Sequence, residues 1–145
     1  MKLHKVIITL ICSILLLSAC SSLTKEDYID TIAKSENQAA ADITKAGDLS
    51  LTLDERKRQI EKAINTMRDT KKISPPDEFK SAHEEYKNYV DLSIKEFERI
   101  KEKLNDEPIY KLLDEKTYNK AMEYNYNFKI ALGSEWKEKF SNKID

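Results

Sequence analysis

The chain of 145 residues is poor in glycine (two), proline (three), cysteine (two) and aromatic side chains (8%). Two glycines are too few for an array of β-hairpin turns, which depend on residues with positive φ. They are also too few for the glycine-rich loops of dinucleotide- and phosphate-binding folds. The two cysteines, Cys12 and Cys20, provide no disulfide framework and no thiolate metal cage. A dominant sign of charge is missing too. The chain has 25 Lys+Arg against 26 Asp+Glu, whereas a nucleic-acid-binding domain carries a basic excess. No apolar run reaches the roughly 20 residues needed to cross a bilayer. What the chain does have is mixed charge, 35% of its residues, interleaved with apolar side chains at helical spacing. The expected fold class is all-α: one domain, built as an antiparallel bundle of three to four long helices.

The N-terminus reads as an address. Lys2 and Lys5 precede the apolar run Val6–Leu17, and small residues follow, the order of a cleaved secretory signal. Leu17-Ser18-Ala19-Cys20 resembles the bacterial lipobox at all four positions. The resemblance covers only the first twenty or so residues. It implies cleavage before Cys20 and a diacylglycerol on the Cys20 sulfur. The alternative is an ordinary cleavage after Ser18-Ala19 that leaves a free thiol. The implied organisation is 1–19 signal peptide, 20–23 short anchor linker and 24–145 helical bundle.

The implied mature chain has 126 residues and a formal charge of −3, and no free cysteine remains in it. Packing alone must hold it together. Its expected partner is the membrane, through the lipid on Cys20, and such a tether needs no basic patch. Lys outnumbers Arg 21 to 4, the codon bias of an AT-rich genome. With the lipobox, this points to a Gram-positive bacterium and to the extracytoplasmic face of its cell membrane. Beyond the lipobox, the likeness to small Gram-positive lipoproteins with helical bodies is generic and transfers no binding residue.

Helix one is expected from Thr24 to Ala46. Thr24 and Asp27 have capping-box spacing, and Leu23 and Tyr28 have staple spacing. Its inward stripe is Tyr28, Ile32, Ser35, Ala39, Ile43 and Ala46, with Gly47 as a left-handed stop. Helix two starts at Thr52 with Glu55 completing a box, turns Leu53, Ile60, Ala63, Ile64 and Met67 inward, and closes at Lys71-Lys72. Helix three is capped by Ser74, has Pro75 and Pro76 in its first turn, and carries a heptad seam from Phe79 through His83, Tyr86, Val90, Ser93, Phe97 and Ile100 to Leu104. It would extend about 45 Å at 1.5 Å per residue.

Asn105–Pro108 breaks the chain, Ile109–Asp114 forms a turn or two, and a re-start is expected near Lys116-Thr117. Helix four then turns Tyr118, Ala121, Asn125, Phe128, Leu132, Trp136 and Phe140 inward, with Gly133 inside it for close packing. Antiparallel pairing of helices three and four sets Leu104 against Tyr118, Phe97 against Asn125, Val90 against Leu132 and Tyr86 against Trp136.

Candidate chemistry is sparse. His83 is the one histidine after the signal, and it falls in an aromatic cluster with Phe79, Tyr86, Trp136 and Phe140. Its plain reading is a packed, hydrogen-bonded core histidine; the sharper one is a ligand contact or a pH-sensitive spot. Zinc would need three or four ligands, so no metal and no cofactor is expected. Ser93 and Asn125 interrupt apolar seams as register-fixing polar positions, while Tyr124 and Asn127 point outward as a surface of the kind used in recognition. The candidate binding residues are thus His83, Tyr86, Tyr124 and Trp136, and no catalytic set is identified. The expected function is that of a lipid-anchored, non-enzymatic module that engages another envelope protein or a peptide, with no nucleic-acid partner; immunity or exclusion lipoproteins are one subclass, by location alone. The alternative is a small-ligand or metal-binding protein that uses the His83 end. An envelope hydrolase has least support.

Overall fold

Three of the helix starts follow from local capping chemistry. Thr52 and Glu55 form the expected reciprocal box: the Glu55 N–H donates to Thr52 Oγ1 at 3.3 Å and the Thr52 N–H donates to Glu55 Oε2 at 2.9 Å. Thr24 Oγ1 accepts from the Asp27 N–H at 3.1 Å but also donates to Asp27 Oδ2 at 2.6 Å. That box is half made, because Asp is one methylene shorter than Glu. Asp114 accepts from the Thr117 N–H at 2.9 Å, so the last long helix re-starts at Asp114-Glu115, just ahead of the expected point.

In a computed structural model that describes residues 23–144, these signals open α1 (Lys25–Ala46), α2 (Leu53–Thr70) and α4 (Glu115–Ala131); α3 (Lys80–Lys103) and α5 (Ser134–Ser141) complete the set. Single 3₁₀ turns lie at Asp77–Phe79 and Ile109–Leu112. The signal segment, Cys12 and Cys20 lie outside the described residues. No strand occurs among the described residues, and no helix there is long and apolar enough to cross a membrane.

The described residues form five helices, where three to four were expected, because Gly133 ends α4. Gly133 has φ 82°, and a Cβ placed on it would meet nothing within 4 Å. Its role is conformational, not the close packing expected of it. Gly47 reverses in the same way: it is right-handed, with φ −74° and ψ −13°, so it is no left-handed stop. Helix three also starts late. Pro75-Pro76 hold the chain extended, Ser74 makes no cap, a 3₁₀ turn follows, and α3 extends about 36 Å from Lys80.

Neighbouring helices run antiparallel; α1 packs on α2, α2 on α3 and α3 on α4. The α3–α4 register differs from expectation. Tyr86 meets Phe128, with ring centroids 5.2 Å apart, and not Trp136, which is about two turns further on. The cause is the link, which folds back along α3: Arg99 donates to the Leu112 carbonyl, and the Asp114 N–H donates to Glu96 Oε1 at 2.6 Å. α4 therefore begins beside Glu96, partway down α3.

Two core clusters result. The larger holds Tyr28, Ile32, Phe79, Tyr86, Val90, Phe128 and Phe140. The smaller holds Ala46, Ile60, Ile64, Ile100 and Leu104. At the smaller end lies a residue the apolar reading of α2 passed over. Arg56 is 1% exposed. Its Nε donates to the Ala46 carbonyl at 2.8 Å, one terminal nitrogen to that of Asn105 at 2.6 Å and the other to that of Glu107 at 3.0 Å. One guanidinium thus satisfies the open end of α1 and the strand of chain leaving α3. Leu53, expected inward, is 37% exposed instead.

Replacement of Arg56 by Met should strand these carbonyls and lower unfolding free energy by about 3 kcal/mol, read by urea denaturation. An Arg56→Met chain as stable as the parent would refute the clamp.

Candidate functional site

His83 lies at an aromatic end, where of the expected neighbours Tyr86 is in ring contact with it and Tyr28 joins it, and it is fully engaged. His83 is 4% exposed. Its Nε2 lies 3.3 Å from the Lys71 carbonyl and its Nδ1 lies 3.0 Å from the Tyr28 hydroxyl. A carbonyl only accepts, so Nε2–H donates to Lys71 and Nδ1 accepts from Tyr28. The ring stitches α1, the end of α2 and α3 together. Burial pulls its pKa below the ordinary 6.5, against the Lys71 bond.

The four candidate binding residues separate. His83 stacks near Tyr86, with ring centroids 6.1 Å apart. Trp136 does not sit on His83; it meets Phe79 edge-on at 5.6 Å, and Lys139 Nζ lies 4.0 Å from its ring. Tyr124, expected outward, is half-buried against the larger core, with Lys120 Nζ 4.9 Å from its ring. Tyr118, expected inward, is 45% exposed, a consequence of the register difference described above.

From Tyr86 the polar chemistry leads away from His83. The Tyr86 and Tyr89 hydroxyls donate to Glu36 Oε1 at 2.7 Å and Oε2 at 2.8 Å. Burial pushes the Glu36 carboxyl up from its ordinary 4.5, against these two bonds and the charge of Lys129. Tyr89 also interacts with Ser93 and Asn125, the two polar interruptions of the seams. Asn125 Oδ1 is buried with no hydrogen-bond partner among the described residues.

This group borders a cavity of about 300 Å³ between α1 and α4. Ala39, Ile43, Met67, Phe97, Ile100 and Met122 give it apolar walls, and Glu36, Tyr89, Ser93 and Glu96 give it polar atoms. Tyr110, Leu113 and Tyr118 form the rim, where they are 69%, 38% and 45% exposed. Apolar walls with a few convergent polar groups describe a small-molecule site, and the volume lies at the lower end of that range. Glu96 is 4% exposed and paired with Arg99, whose Nε reaches Oε2 at 2.9 Å and whose terminal nitrogen reaches Oε1 at 2.5 Å.

Other depressions are shallow and charged. In the one beside His83, Lys71, Lys72, Lys80 and Lys87 are paired with Asp91, Asp69, Asp77 and Glu84. No cluster of three or more metal-ligating side chains occurs among the described residues.

Glu36 and Glu96 are absent from the expected inward stripes, because charge alone argues for a solvated position. A signal was present: Glu36 lies in line with Ile29, Ile32, Ala39 and Ile43, and Glu96 with Ser93 and Ile100, at spacings of three and four.

Two of the shifted groups, Glu36 and His83, predict opposite pH effects. The folded chain holds a proton on Glu36 more tightly than the unfolded chain does. As pH rises past 4.5 the unfolded state ionises first, so the parent should lose stability relative to Glu36→Gln. His83 resists protonation when folded, so the parent should lose stability as pH falls below 6.5, and His83→Gln should flatten that slope. Urea midpoints across pH check both; stability differences that stay constant with pH would contradict these assignments.

Comparison with protein-family models, with curated proteins and with solved structures finds no match to this chain.

Proposed function

We propose that the chain is a lipid-anchored, non-enzymatic binding protein of the bacterial cell envelope, tethered through Cys20 at the extracytoplasmic face, with the cavity between α1 and α4 as its binding site. The observation that carries the binding reading is the cavity itself: an apolar space bordered by the polar side chains of Glu36, Tyr89, Ser93 and Glu96. The tether is supported by Leu17-Ser18-Ala19-Cys20.

Tethering would give the site a direction. α1 begins at Lys25, close behind Cys20, at the end of the bundle that also carries His83 and α5. That end would face the bilayer, and the 3₁₀ turn at Ile109–Leu112 would face away. The cavity rim, with its exposed Tyr110, Leu113 and Tyr118, would then meet what approaches from outside. A second reading draws on the same rim: an apolar side chain of another envelope protein enters the cavity, since exposed aromatics favour such contacts.

Fractionation with fatty-acid labelling in the producing cell tests the anchor. The parent should be labelled and membrane-bound, and Cys20→Ser should lose the label and appear unprocessed or released. Natively produced parent without an acyl adduct, or processed Cys20→Ser still held at the membrane, would overturn it.

A further inference from the structure

The charge of the cavity is one-sided. Among the described residues its lining includes two carboxylates, Glu36 and Glu96, and no Lys, Arg or His. Glu96 is matched by Arg99. Glu36 makes no ion pair among the described residues, and its oxygens take hydrogen bonds from two tyrosine hydroxyls. Lys129 acts on it through charge alone, with its Nζ 5.9 Å from the Phe140 ring. A carboxylate drawn out of water without a cation is costly to the fold. Ser93, which interacts with Tyr89, adds a hydroxyl oxygen to the same lining. Carboxylate and hydroxyl oxygens both accept from N–H donors, and the tyrosine rings of the rim are of the type that attracts cations.

We infer that the cavity takes an organic cation: a protonated amine whose nitrogen sits at Glu36 and whose apolar body lies against Ile43, Phe97 and Ile100. Three N–H donors on one ammonium can serve the carboxylate and a neighbouring acceptor together, which a quaternary ammonium cannot do. This inference rests on the cavity being the binding site proposed above.

Three probes of one shape and different charge test it: phenethylamine, phenylacetate and phenylethanol. They are titrated calorimetrically into the natively processed full chain in nanodiscs, with empty nanodiscs as reference. Phenethylamine should bind about tenfold or more tightly than the other two, the scale of one close charge pair. Glu36→Gln should erase that preference while phenylethanol binding persists. Ala40→Trp, at an exposed position on the cavity lining, should block all three probes without changing the melting temperature.

Equal binding of the probes, a preference for phenylacetate, or a preference that survives Glu36→Gln overturns the cation inference and leaves the cavity reading standing. No binding of any probe overturns both. Should Glu36→Gln fail to fold, the parent's ranking of the three probes decides alone.

Discussion

Helix ends carry carbonyls without partners, and in this bundle buried side chains must reach them. No cysteine lies among the described residues to cross-link the helices. Arg56 meets the requirement at one end by donating to Ala46, Asn105 and Glu107. His83 meets it at the other by donating to Lys71 and accepting from Tyr28. These two residues set where α1, α2 and α3 stop relative to one another. The apolar seams then fill the space between them. A guanidinium suits the first position, because its donors diverge in a fixed plane and can serve three carbonyls at once.

With that frame in place, α4 and α5 determine the cavity. The α3–α4 link folds back along α3 and is held by Glu96 and Arg99. α4 therefore starts beside Glu96, short of the end of α3, and Tyr118 reaches the surface. Past Gly133, α5 turns onto α1, where Asn37 Nδ2 donates to the Lys143 carbonyl at 2.8 Å and Lys143 pairs with Asp30 at 2.6 Å. Phe140 closes the gap between α1 and α4 at that end by packing edge-on to Phe128 at 5.3 Å. At the other end the walls are Ala39, Ile43, Phe97 and Met122, and the cavity is the space they enclose.

Much of the architecture was legible residue by residue. Thr52 and Glu55 announce α2, Asn105 to Pro108 announce the break after α3, and the seam from Phe79 to Leu104 lies buried or half-buried as its spacing requires. Other features were not legible. Both glycines depart from their expected roles, because a glycine code does not say whether its φ is positive or merely permitted to be. The candidate site moved from His83 toward Glu36, since the bonds that occupy His83 come from Tyr28 and Lys71, residues far from it in the chain.

Local pattern by itself determined that the chain is helical, where most helices begin, and which apolar residues turn inward, because capping and periodicity act within a few residues. Tertiary structure alone decided the α3–α4 register, the return of α5, the burial of Arg56 and Glu96 and the half-burial of Glu36. The physical reason is that a charged side chain at a stripe position is placed by its partners. Arg56 needs three carbonyls, Glu36 two tyrosines, and Glu96 an arginine and a backbone N–H. Most of those partners come within reach only after the chain has folded.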